Sequence, residues 1–154
     1  SLLKNTGKYS LRIATFKGNS IIQQVGNQVH EKAKYNFDKI FGNNLDEAGT
    51  KAWELTQALR SASKLGYGRD YEAWVFHDRY ESYVTIGSFE SRNDPRIAVL
   101  AKEFRAKTRQ HNGRDVMTAE SFTVPRQLAP GREPDKFWMF DVVPKLVEVP
   151  KPRR

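Results

Sequence analysis

The stretch YVTIGSF, Tyr83 to Phe89, decides the fold class. Val84 and Ile86 alternate with Tyr83 and Thr85, the two-residue period of a strand with one buried face. A near copy, LRIATF, occupies Leu11 to Phe16, where branched apolar residues lead to a small residue, a hydroxyl residue and Phe. One strand ending used twice predicts two corresponding strands in a single sheet. In the wider segment YSLRIATF, Tyr9 to Phe16, strict alternation puts Leu11 and Ile13 on one face and Arg12 and Ala14 on the other.

A helix fits between the copies. Asp46 is a candidate N-cap, and Ala48, Ala52, Leu55, Leu59 and Ala62 recur on one helical face, predicting a helix from Asp46 to about Lys64. LGYG, Leu65 to Gly68, stops it, with Gly66 suited to a left-handed cap. YEAWVFHD, Tyr71 to Asp78, then pairs with ESYVTIGSF, Glu81 to Phe89, as an antiparallel hairpin. Asn93 or Asp94 caps a second helix with Pro95 in its first turn and Ile97, Leu100, Ala101 and Phe104 as its buried stripe. HNGRD, His111 to Asp115, breaks the chain, and ESFTVP, Glu120 to Pro125, is a last short strand. Residues 19–44 have no clean period and read as a long connection holding a short helix.

The order strand, helix, strand, strand, helix, strand predicts an α+β fold of ferredoxin-like βαββαβ type. Right-handed crossovers would place both helices on one face of a four-stranded antiparallel sheet. The expected organisation is a lead over 1–8, a domain over 9–124 carrying the insertion 19–44, and a proline-rich extension over 125–154. Six of the seven prolines lie from Pro125 to Pro152. Phe137, Trp138, Met139 and Phe140 are too apolar together for a free tail. The extension therefore packs back on its own domain or docks with a protein partner, for instance by adding an edge strand.

Composition narrows the function classes. The 154 residues contain no Cys, which excludes disulfides and thiolate zinc sites. No apolar run approaches the ~20 residues of a membrane span. The chain starts at Ser1 with no signal-peptide pattern, which reads as a processed or excised piece of a longer protein. The net charge of +8 suits a polyanion, although cations and acids are interspersed and no block of five like charges occurs. His30, His77 and His111 lack metal-ligand spacing, and no nucleophile elbow or phosphate-binding loop is present. GYG, Gly66 to Gly68, is too short to cradle a phosphate, and His77, Asp78 and Glu81 read as polar residues of a hairpin tip. The expectation is a protein with no catalytic residues, no metal and no cofactor.

Alternation instead points to the sheet face away from the helices. With Leu11, Ile13, Ala73, Val75, Val84, Ile86, Phe122 and Val124 facing the helices, Arg12, Trp74, Phe76, Tyr83, Thr85 and Thr123 face outward and form the candidate ligand site. Aromatic rings beside hydrogen-bonding groups can stack the C–H face of a sugar or the π-face of an unpaired base. In a third reading the insertion or the tail covers this face and the domain serves protein assembly.

YSLRIATF, AWELTQALRSASKLGY, YEAWV and YVTIGSF together resemble the SPOR domain, the sporulation-related repeat of bacterial cell-envelope proteins. The resemblance runs from about Tyr9 to Val124, interrupted by the insertion. It implies a ferredoxin-like domain with two pseudo-repeats that binds peptidoglycan glycan strands, or another envelope polymer, on the open sheet face. It also implies a place in the bacterial envelope or periplasm, within a larger protein. Arg12 stands where the family has a strand Gln, Ala14 where it has Gly, and Ser88 where Pro is common. Arg offers only donors where Gln offers donor and acceptor, which alters the expected recognition of a neutral acetylated sugar and admits an acidic glycan as an alternative. Single-stranded nucleic acid ranks below glycan, because Glu81 to Phe89 does not match the RNP1 pattern.

Overall fold

The computed structural model describes residues 1–17, 37–124 and 136–152, with the backbone alone for 37–46. The described residues are α+β, with two α-helices and antiparallel sheets. The main sheet has four strands: β1 (Tyr9–Lys17), β2 (Ala73–His77), β3 (Glu81–Phe89) and β8 (Lys145–Glu148), in the order β2-β3-β1-β8. The two stretches that echo each other, in β1 and β3, are neighbours and pair antiparallel. The other antiparallel pairs are two-stranded: β4 (Lys107–His111) with β5 (Arg114–Thr118), and β6 (Ser121–Val124) with β7 (Lys136–Met139).

Helices α1 (Phe37–Arg60) and α2 (Pro95–Phe104) share one core with the sheet. The expected helical stripe is buried at all five positions, Ala48, Ala52, Leu55 and Leu59 on α1 and Ala62 in the 3-10 turn after it. It meets Leu11, Ile13, Ala73, Val75, Val84 and Ile86 from the sheet. Asp94 caps α2 by accepting from the Arg96 N–H at 2.9 Å, and Phe104 carries that helix into the same core. Gly66, at φ 93°, closes the 3-10 turn Ala62–Leu65 that follows α1, a conformation costly for a residue with a Cβ.

Four sequence expectations are corrected. The helix expected to begin at Asp46 begins at Phe37, so Asp46 lies inside it. Gly42 resembles a break, but one helical Gly costs only about 1 kcal/mol and a long packed helix absorbs it. The rest of the 19–44 insertion lies outside the described residues, as does the proline-rich stretch 125–135. Secondly, Ala14 does not join Arg12 on the outer face. It is fully buried with Leu11 and Ile13, because the register slips between Arg12 and Ala14. Ile13 is the extra residue, and past it Thr15 takes the Arg12 side opposite Tyr83. A second slip, on β3 beside Gly87, restores the register.

The third correction concerns the fourth strand. Ser121–Val124 is a strand, but it pairs with β7, and β8 holds the place beside β1. Alternation specifies the faces of a strand and is silent on its neighbour. The extension supplies both replacements, with Pro144 before β8 and Pro150 after it, where no ladder hydrogen bond is needed. Trp138 and Phe140 enter the main core while Phe137 and Met139 face out, so the tail packs back on the domain. Finally, HNGRD does not end a structured region. Asn112 and Gly113, at φ 51° and 75°, form the two-residue turn of the β4–β5 hairpin.

Candidate functional site

The sheet has a second face, and the structure brings five of the six expected site residues to it. Arg12 comes from β1, Trp74 and Phe76 from β2, and Tyr83 and Thr85 from β3. Thr123 is elsewhere, on β6. Its N–H donates to the Tyr67 hydroxyl at 3.0 Å, and that hydroxyl donates to the Thr123 carbonyl at 2.9 Å.

The middle of this face is not open. Thr85 is fully buried and Tyr83 is 8% exposed. Leu2, from the 3-10 turn Leu2–Lys4, and Val149, just past β8, pack with Tyr83, and Trp74 and Phe76 pack against that cluster. The Asn5 side chain donates to the Gly87 carbonyl at 3.0 Å and accepts from the Gly7 N–H at 2.8 Å, fixing the lead over the sheet. Gly7 has to be Gly here, because a Cβ would lie 2.7 Å from the Phe89 nitrogen. Sequence reasoning considered cover by the insertion or the tail; the tail does contribute Val149, and the cover by residues 1–8 was missed. The available signal was Leu2-Leu3, an apolar pair opening the chain. Beneath this cover the polar groups are paired. Buried Ser10 donates to Thr85 Oγ1 at 2.8 Å and reaches the Gly87 carbonyl at 2.7 Å. The exception is Trp74 Nε1, buried without a partner among the described residues, with the Arg60 guanidinium 5.2 Å from its ring centroid. Burial, the largest cause, raises the pKa of the Tyr83 phenol.

Arg12 lies opposite Thr85 on β1, and its partly exposed side chain reaches toward Glu81 at the start of β3. Its Nη2 contacts Glu81 at 2.8 Å, its Nε donates to Thr15 Oγ1 at 2.9 Å, and its guanidinium lies 4.6 Å from the Tyr83 ring centroid. Thr15 in turn donates to Asp141 at 2.8 Å. Bulged Ile13 makes this arrangement possible, because it turns Thr15 to the side of Arg12.

No family model, curated protein or solved structure matches the chain. The site is therefore read from its own geometry. Beside Arg12 a cleft of about 640 Å³ opens between the end of β1, the α1 residues Glu47 and Lys51, and the segment from Asp141 to Lys145. Phe16, Val142 and Val143 give it apolar wall. Its lining has four cationic side chains, Arg12, Lys17, Lys51 and Lys145, against two carboxylates, Glu47 and Asp141. The expected site set contained Arg12 alone from this lining. Thr15, Phe16 and Lys17 follow it on β1, and the others come from α1 and from the tail, which pairwise strand alternation cannot place.

His77 is exposed, shares a 2.8 Å hydrogen bond with Ser82 Oγ, and lies beside Gly49 of α1. Asp78 Oδ1 accepts from the N–H groups of Tyr80 and Glu81, so it shapes the hairpin turn. No group of three or more metal-ligating side chains occurs among the described residues. None of the helices searched there is long and apolar enough to cross a membrane.

Proposed function

We propose that the chain is a noncatalytic, SPOR-like module that binds a cell-envelope glycan, with the sugar chain seated in the cleft at the Arg12 end of the sheet. The carrying observation is that cleft, where hydrogen-bonding side chains of both signs alternate with Phe16, Val142 and Val143. A sugar needs this mixture, because its hydroxyls want donors and acceptors while its C–H faces want apolar wall. The excess of cations in the lining favours a glycan carrying carboxylates. The sheet order β2-β3-β1-β8 supports a ferredoxin-like reading in which β8 closes the βαββαβ series and residues 105–140 elaborate the connection before it. That order agrees with the resemblance to SPOR domains. The position in a larger envelope protein follows from the same reading.

The test is a pull-down on amidase-treated peptidoglycan. Lys51→Gln with Lys145→Gln should lower retention about tenfold while the melting temperature stays within a few degrees. Retention equal to that of the unaltered chain would remove the cleft as the site. A Trp74→Ala variant separates cleft from sheet. Half-buried Trp74 lies under the lead, so its loss should destabilise the fold more than it changes glycan binding.

A second reading, a protein-assembly module, draws on the covered face and on the exposed Phe137 and Met139 of β7. Single-stranded nucleic acid loses support, since Tyr83 and Thr85 are closed to stacking bases.

A further inference from the structure

We infer that the β4–β5 ribbon is a cationic arm that grips the charged groups of an acidic glycan whose chain lies in the neighbouring cleft. This rests on the glycan reading above and adds a second contact surface to it. The segment RAKTRQH, Arg105 to His111, alternates basic and small or neutral residues. Arg105 is extended, at φ −70° and ψ 153°, and leads directly into β4, so Arg105, Lys107, Arg109 and His111 form one row. Side chains two apart along a strand stand about 6.7 Å from each other, which gives a row of roughly 20 Å. Arg114 faces His111 across the ribbon and joins the same side. Glu120 accepts from Arg109 at 2.7 Å and approaches Lys107 at 3.4 Å. One carboxylate against four Lys and Arg side chains leaves the row positive.

The ribbon is held out for contact. Every residue of β4 and β5 is exposed, and the Asn112–Gly113 turn fixes the hairpin. Its root is anchored by buried Ala106, whose N–H donates to the Val142 carbonyl at 2.9 Å. Val142 also lines the cleft, so a polymer leaving the cleft meets the arm at its base. The chemistry of the arm selects the occupant. Its single ring is the His111 imidazole at the tip, so it has no platform of rings for successive unpaired bases, and it has no Trp, Phe or Leu to enter a membrane. Its apolar residues Val116 and Met117 lie on opposite faces, opposite Arg109 and Thr108 respectively. What remains is recognition of fixed anions along a chain.

Polygalacturonate and its fully methyl-esterified form share one backbone and differ in charge, so together they test the arm on the full chain by affinity electrophoresis. The unaltered protein should bind polygalacturonate about tenfold more tightly than the ester, and less tightly as salt rises. Replacing Arg105, Lys107 and Arg109 with Gln should reduce that preference severalfold, leaving the part owed to the cleft cations, with binding of the ester unchanged. Arg105→Lys with Arg109→Lys keeps the charge and should keep the preference, which separates charge from folding of the ribbon. A preference undiminished by the Gln replacements overturns the arm. Arm-dependent binding of a 20-base-pair DNA duplex, without binding of polygalacturonate, overturns the glycan as its occupant. Arm-dependent binding of polygalacturonate that ignores Lys51→Gln with Lys145→Gln, with no binding of the ester, supports the arm and refutes the cleft.

Discussion

Replacing Leu2 with Ala tests whether the second sheet face is a packed layer. Leu2 is fully buried against Tyr83 and Val149, and the lead around it is tied to the sheet by Asn5 and by the Lys8 N–H to the Phe89 carbonyl at 2.9 Å. Truncating a buried Leu to Ala costs about 2–5 kcal/mol, less where the surroundings can close the gap. The turn carrying Leu2 is three residues long and stands at the chain start, so it can settle inward. The low end applies, about 2 kcal/mol. For a domain of this length that lowers Tm by about 4–8 °C. Urea unfolding should show a lower midpoint with an unchanged slope, because the folded and unfolded surfaces change little. The Tyr83 phenol supplies a second readout. Burial raises its pKa, so in the unaltered chain it should titrate above the ordinary phenol range, and in the variant closer to it. A loss below about 0.5 kcal/mol, together with unchanged titration of Tyr83, would show that Leu2 does not close the face.

Three further perturbations probe the supports of the site. Ser10→Ala removes a buried hydroxyl bonded to Thr85 and the Gly87 carbonyl, and should cost about 1–3 kcal/mol in thermal unfolding; a neutral result would mean the two hydroxyls are not coupled. Gly87→Ala places a Cβ 2.4 Å from the Phe89 ring at a φ of 76°, and should exceed the roughly 1–2 kcal/mol of left-handed strain alone; wild-type stability would contradict the packing of Phe89. The hydrogen bond from Arg109, then that from Lys107, holds the Glu120 carboxyl below the usual range. Its folded value being depressed, its contribution is complete above about pH 4.3 and is lost as pH falls through the lowered value. Glu120→Gln should flatten that part of the acid-unfolding curve, and a carboxyl carbon titrating at the ordinary value would refute the contact.

Periodicity made the helix-facing side legible. Val84, Ile86, Ala73 and Val75 reached the core as alternation required, and the expected helical stripe did so at every position from Ala48 to Ala62. Reading failed where one residue changes phase. Bulged Ile13 sent Ala14 inward and Thr15 outward, and nothing in LRIATF distinguishes a bulge from a regular strand. It failed again where pairing is long-range. Val124 and Leu146 carry equally good strand patterns, yet only the strand of Leu146 lies beside β1. The arm was legible and overlooked. Asn-Gly between two polar strands is a strong hairpin signal, but without an apolar face RAKTRQH resembles a solvated linker. Of the candidate site, Arg12 was accessible to sequence reasoning, whereas Lys51 and Lys145 depend on where α1 and the tail come to rest.

The two slips between β1 and β3 have opposite sense, one on each strand, and only Leu11 and Arg12 lie in the displaced register between them. They behave as a matched pair of lattice dislocations: each alone would displace every later pair by one position, and together they cancel within a few residues. Losing Ile13 alone would leave Arg12 opposite Thr85 and Ala14 opposite Val84 with nothing between them, a plain ladder in which every later pair and face is kept. Losing Ile13 and one residue beside Gly87 together would leave both ends aligned. Each slip is therefore a place where the chain can shorten by one residue and keep the pairs on both sides, losing only the local twist that the bulge gives the ribbon.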